Sequence, residues 1–137
     1  MILLRISMGI IASYIVMKFL IRPIVLKNGY NELSEIIVLS YPNFCEAIVG
    51  TIFISLILLS LNGMLVKNKS KFILRDNQLY LLATIIAGVF VILQELKIHN
   101  LGGDNVYDVY DVIFSSVGLI TSYAVLLKFK PHIIRIQ

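Results

Sequence analysis

The sequence predicts an all-α fold, a polytopic membrane protein whose four transmembrane helices pack as a compact bundle in one domain, residues 1–137. Hydrophobic residues make up 58% of the chain and the mean hydropathy is +0.90. Both values are higher than is usual for a soluble domain. Charged residues make up only 15% and are concentrated between long apolar runs. This distribution is typical of membrane proteins, because about 20 apolar residues cross a hydrocarbon core of about 30 Å.

Four apolar runs are long enough to form transmembrane helices. The predicted helices are 2–21, 44–66, 77–97 and 106–128. The first is the most polar, because Arg5 and Lys18 lie inside it, but each is near an end, where a long cationic side chain can reach the interface. Gly102-Gly103 is expected to form the turn between the third and fourth helices.

The start of the second helix is predicted from a proline and a capping pattern. Pro42 should end any earlier helix, since proline has no amide hydrogen to donate. Asn43 should cap the next helix, and Glu46 should reach back to the Asn43 amide, as in a capping box. Segment 28–42 is therefore expected to be an external loop, in which a short interfacial helix is an option.

Acidic residues are predicted to cluster at one end of the bundle. Seven of the eight lie there: Glu32, Glu35, Glu46, Glu95, Asp104, Asp108 and Asp111. Three of them (Glu46, Glu95 and Asp111) adjoin long uncharged runs, where an ionised carboxylate is costly unless it is paired, solvated or protonated. This end is the predicted working surface.

Basic residues predict the orientation. The loop after the second helix and the segment after the fourth helix hold Lys67, Lys69, Lys71, Arg75, Lys128, Lys130 and Arg135. By the positive-inside rule, both segments and both termini are predicted to be cytoplasmic. These cations flank hydrophobic segments and form no stripe with interleaved aromatics, so the net charge of +4 predicts membrane lipids, and not nucleic acid, as the partner.

A stripe of polar and small residues marks one face of the fourth helix. Its members, at intervals of three or four, are Asp108, Asp111, Ser115, Gly118 and Ser122, and the third helix has a matching stripe of Thr84, Gly88, Val91 and Glu95. Gly118 and Ser122 form a small-xxx-small pair, which permits close approach of a neighbouring helix. We expect Glu95 and Asp111 to meet near the outer interface, with Ser115 and Gly118 as the deeper wall of an outward-facing polar pocket.

Each carboxylate also has a structural interpretation. Glu46 can be a capping residue, and Asp111 can be stabilised by the dipole at a helix start. Glu95 lies near a helix carboxyl end, where the dipole disfavours a negative charge. We therefore expect a specific partner for it, with Arg22 or Lys18 as the charge-compensating cation at the same membrane level.

Neither a cofactor nor a metal site is predicted. Glu95 and His99 would share a helix face, but this spacing is a weak signal for a metal ion. A proton relay through paired carboxylates is another option. Cys45 is the only cysteine, which excludes an intramolecular disulfide. The chain has no phosphate loop, hydrolase triad or dinucleotide motif, and these observations favour a protein that is not an enzyme.

The segment from Glu95 to Gly118 resembles the carboxyl-terminal signature of the VanZ-like family of small four-helix bacterial membrane proteins. Glu95, Asp111 and Gly118 match that signature, whereas Ser115 replaces its Asn and Ile98 replaces its Gln. The resemblance implies a cell-envelope protein of the bacterial cytoplasmic (inner) membrane, in a family some of whose members are linked to glycopeptide resistance. It implies no catalytic mechanism.

Three classes of function remain open. The first is a non-enzymatic protein that binds an envelope lipid or a lipid-linked cell-wall precursor in the outward-facing pocket. The second is a small accessory subunit of a larger membrane complex, which the short, apolar helices would suit. The third is a proton-coupled carrier or membrane enzyme that uses Glu95 and Asp111.

Overall fold

Four helical stretches form the protein, for which a computed structural model describes residues 2–29, 31–68, 73–95 (without the Glu95 side chain) and 108–131. The elements are α1 (Ile2–Val16), a π-helical turn (Met17–Ile21), α2 (Arg22–Asn28), α3 (Glu32–Lys67), α4 (Asp76–Glu95) and α5 (Val109–Phe129). Four stretches are long and apolar enough to cross a membrane: Ile2–Asn28, Glu32–Lys67, Asp76–Gln94 and Val109–Phe129. No strand occurs in the described ranges. The predicted all-α, four-helix membrane fold is confirmed.

The first membrane-crossing stretch contains a π-helical turn next to a proline. The Arg22 amide donates to the carbonyl of Met17, five residues earlier. Pro23 follows, and in a regular helix its ring would clash with the carbonyl four residues before it. A wider turn relieves that clash, which is one way in which membrane helices accommodate proline. The helix therefore continues to Asn28 and does not end near residue 21, where the sequence predicts its end.

Helix α3 begins much earlier than the capping pattern predicts. Its N-cap is Asn31, whose side chain accepts a hydrogen bond from the Ser34 amide at 3.3 Å, and it runs for 36 residues through Pro42. The predictions of a loop over 28–42 and of a cap at Asn43 are wrong. Inside a membrane protein a proline removes one helical hydrogen bond, but packing against neighbouring helices keeps the chain helical.

Helix α3 lies at the centre of the bundle and contacts all the other helices. Because α4 returns antiparallel to it, α3 and α5 run in the same direction, and α5 packs more extensively on α3 than on α4. At Gly118 a Cβ atom would lie only 2.6 Å from the backbone oxygen of Phe44 and 2.9 Å from the Cβ of Ala47. The backbones of α3 and α5 can approach each other closely at this point because Gly118 has no side chain.

An apolar cluster fills the half of the bundle that contains the α3–α4 connection. Its buried members are Leu3, Ile48, Ile52, Leu59, Leu79, Tyr80 and Leu126. Polar contacts fasten the same end. The Asn62 side chain donates to the Leu74 carbonyl at 3.0 Å and accepts from the Leu74 amide at 3.1 Å, and the Tyr80 hydroxyl donates to the Pro131 carbonyl at 2.5 Å.

Candidate functional site

A groove of about 350 Å³ lies between α1 and α3. Ile11 and Tyr14 line it from α1, and Cys45, Glu46 and Val49 line it from α3. Ile11 is 43% exposed and Glu46 is exposed, so the groove is open along the surface of the bundle. Because both helices belong to stretches that are long and apolar enough to cross a membrane, the opening is on a surface that lipid would cover. The groove combines apolar walls with one carboxylate.

Glu46 lies well inside α3, so the interpretation of Glu46 as a helix-capping residue is wrong. The helix starts at Glu32 and ends at Lys67, so Glu46 caps nothing. Among the described residues it accepts no hydrogen bond and forms no ion pair. It lies level with Gly118, which contacts Phe44 and Ala47 and which is two helical turns, or about 10 Å, further into the bundle than Asp111. A carboxylate at this depth is a functional-site hypothesis by default.

A cation lies at the edge of the same groove. The Lys18 ammonium donates a hydrogen bond of 2.8 Å to the hydroxyl of Tyr14 and sits 5.2 Å from the centre of that ring. Lys18 is part of the π-helical turn. Its charge acts electrostatically on Glu46, although these two described side chains do not form an ion pair. The groove therefore presents one positive and one negative group, separated from each other.

A second polar set fixes α1 against α3 beside the groove. The Tyr41 hydroxyl donates to Ser13 Oγ at 3.0 Å, and the Ser13 hydroxyl donates to the Ile10 carbonyl at 2.7 Å. The thiol of Cys45 is buried next to the Tyr41 hydroxyl. The Tyr41 ring also packs on Phe44, with ring centres 5.8 Å apart. The Tyr41–Ser13 bond joins α3 to α1, and the other contacts hold these side chains in place within their own helices.

The stripe predicted on the fourth helix is divided between different roles. Asp108 is the N-cap of α5 and accepts a hydrogen bond from the Tyr110 amide at 2.9 Å. Asp111 is half-buried in the first turn. Ser115 is 1% exposed, and its hydroxyl has no partner among the described residues. Gly118 is buried against α3. Ser115 and Gly118 thus belong to buried helix packing and do not line the groove.

Only some of the ion pairs predicted for Arg22 and Lys18 involve residues that the structure describes. The Glu95 side chain and His99 lie outside the described residues, so the expected meeting of Glu95 with Asp111 does too. Arg22 is half-buried in the first turn of α2. In the described part of the chain, neither it nor Lys18 forms an ion pair with an acidic residue. Of the predicted site residues, Glu46 lines the groove, and Lys18 lies beside it through its bond to Tyr14.

Sequence reasoning missed three of the polar groups around the groove: Ser13, Tyr14 and Tyr41. The spacing of Tyr14 and Lys18, four residues apart on one helix, was a usable signal because such pairs contact each other. Tyr41 carried no such signal, since it lies in a segment predicted to be a loop.

The geometry is suited to binding. Among the described residues, no group of three or more His, Cys, Asp or Glu side chains could hold a metal ion. What the groove offers is a cation with a hydroxyl, a carboxylate, and apolar walls open to lipid. The fold and this groove define a multi-pass helical membrane protein with a lateral amphipathic groove.

Comparison with known proteins identifies no relative of this chain. No protein family, curated protein or solved structure matches the chain. The resemblance to the VanZ-like family therefore rests on the residues of the motif alone.

Proposed function

We propose that this protein is a non-enzymatic membrane protein that binds an envelope lipid or a lipid-linked precursor in the groove between α1 and α3. The observation that carries the proposal is Glu46, a carboxylate without a protein partner in the described structure, placed in an open groove at membrane depth. On insertion scales a charge at the centre of a membrane helix costs about 2.5–3.5 kcal/mol. A polar headgroup in the groove would offset that cost, and the apolar walls would cover the attached hydrocarbon.

The proposal includes the cellular setting that the motif residues and the basic loops indicate. Under this proposal the protein is a VanZ-like envelope protein of the bacterial cytoplasmic membrane, with both termini cytoplasmic and the Asn31-capped end of α3 facing outward. The groove then opens toward the outer leaflet. A role of the glycopeptide-resistance type belongs to the same proposal, because it would require an outward-facing contact with envelope precursors.

Lipid retention tests the proposal. The full chain is purified from a bacterial host in a mild detergent, and the bound lipid is counted by native mass spectrometry. We expect wild type to retain lipid and Glu46→Gln to retain at least about tenfold less, since hydrogen bonds to a charged group contribute about 1.5–3 kcal/mol. Glu32→Gln is the matched control, because Glu32 is exposed in the first turn of the same helix. Equal retention by Glu46→Gln and wild type would refute the proposal.

A second candidate function, an accessory subunit, is favoured by the loose packing of the first membrane-crossing stretch. Of the residues from Ile2 to Asn28, only Leu3 is buried. A partner protein could cover the remaining surface, as lipid also could. The same purification separates the two cases, because a subunit would co-purify with a partner protein in fixed stoichiometry.

A further inference from the structure

The charge pattern of the groove narrows the kind of lipid that fits it. Lys18 and Glu46 carry opposite charges. Glu46 lines the groove together with Tyr14, the residue to which Lys18 is bonded, and the two charged side chains do not form an ion pair. Two helices hold them in place, Lys18 by its bond to Tyr14 and Glu46 by its position within α3. A ligand that carries only one charge would satisfy one of these groups and leave the other unpaired.

We propose that the groove binds a zwitterionic aminophospholipid of the phosphatidylethanolamine type, whose phosphate contacts Lys18 and Tyr14 and whose primary amine contacts Glu46. This inference rests on the proposed lipid-binding function and specifies the class of headgroup. The phosphate and the amine of such a lipid are joined by a two-carbon linker. The headgroup is therefore a short dipole that can bridge two separated opposite charges.

The hydrogen-bonding capacity of each end supports this assignment. The Tyr14 hydroxyl accepts its bond from Lys18, so its own hydrogen remains available for donation. Lys18 retains further N–H donors beside it. A phosphate oxygen accepts from both. At the other end, the Glu46 carboxylate is an acceptor only, and it matches the N–H donors of a primary ammonium group.

The directions of the two side chains place both contacts at a similar depth. Side chains in a helix lean toward its amino terminus. Since α1 and α3 are antiparallel, Lys18 leans inward, toward Tyr14, and Glu46 leans toward the start of α3. The two side chains therefore lean toward each other along the groove. A headgroup lying roughly parallel to the membrane plane can reach both, while Ile11 and Val49 line the apolar part of the groove.

The test measures lipid selectivity on the full chain. Purified, delipidated protein in mild detergent is titrated with phosphatidylethanolamine or phosphatidylglycerol of identical acyl chains, and occupancy is read by native mass spectrometry. We expect wild type to prefer phosphatidylethanolamine by at least about tenfold, as one charged hydrogen bond would produce. Glu46→Gln should abolish that preference. Lys18→Met should weaken binding of both lipids to a similar degree and keep the preference.

Matched controls are Glu32→Gln and Lys27→Met, which change exposed residues outside the groove and should behave as wild type. Equal affinity of wild type for the two lipids, with binding still dependent on Glu46, overturns the aminophospholipid assignment and leaves the proposed function standing. A preference that survives Glu46→Gln overturns the assignment as well. Binding of both lipids that is insensitive to Glu46→Gln overturns the proposed function and the assignment with it.

Discussion

Replacing Gly118 with alanine should push α3 and α5 apart. The new Cβ would lie 2.6 Å from the Phe44 oxygen, whereas ordinary contact begins at 3.4 Å, so one helix must move by 0.8 Å, the difference of those distances. Because the nearest atom belongs to the backbone, no change of side-chain rotamer can relieve the contact. Overpacking of this kind costs about 1–3 kcal/mol. Alanine regains about 0.5–1 kcal/mol over glycine in a helix, which leaves a net loss of up to about 2.5 kcal/mol.

Two other glycines provide matched controls for this prediction. At Gly88 a Cβ would meet only the end of the Leu119 side chain, at 3.2 Å, and at Gly50 it would meet nothing within 4 Å. Gly88→Ala should therefore have a small effect, and Gly50→Ala should be neutral or stabilise by up to about 1 kcal/mol. The free energy of unfolding is measured by reversible denaturant titration in detergent micelles, followed by circular dichroism. If Gly118→Ala proves as stable as Gly50→Ala, the close α3–α5 contact is refuted.

Two further predictions follow from other parts of the bundle. Tyr80→Phe should lower the free energy of unfolding by about 0.5–1.5 kcal/mol, because the carbonyl after α5 loses its hydrogen bond. Tyr123→Phe, whose hydroxyl has no hydrogen bond within the described residues, should have little effect, and equal losses in both variants would contradict the assignment. For the orientation, a membrane-impermeant thiol reagent added from outside should label a cysteine placed at Asn100 but not one placed at Asn68. The native Cys45 should react slowly because it is buried, and labelling of both new cysteines from one side would refute the proposed topology.

The number and approximate position of the membrane-crossing stretches were predictable from the sequence, because hydropathy and helix length alone determine them. The boundaries near the connection between α2 and α3 were not. Pro42 predicts a helix end by rules that hold in water, where a helix depends on its own hydrogen bonds. Inside the bundle α3 is held by its neighbours, so the helix continues through Pro42 and begins at Glu32.

The candidate site was predictable only in part. Glu46 and Lys18 were identified by their charge in apolar surroundings, which requires no knowledge of the fold. Their presence in one groove depends on α1 packing against α3, and hydropathy does not indicate which helices are neighbours. The spacing around Gly118 predicted close approach of another helix, but it could not show that this helix is α3, because residue periodicity defines a face and leaves the partner open.

The length of α3 also bears on how the protein sits in different membranes. Its 36 residues extend about 54 Å, against a hydrocarbon core of about 30 Å. Even at a tilt of about 40°, the upper end of the usual range, it would span about 41 Å along the bilayer normal. The polar end that carries Glu32 and Glu35 can project into the headgroups. Helix α3 is therefore long enough to span thicker as well as thinner bilayers. Because Glu46 is level with Gly118, near the middle of α5 (Val109–Phe129), a change of a few ångströms in bilayer thickness would alter the depth of Glu46 by only about half that amount.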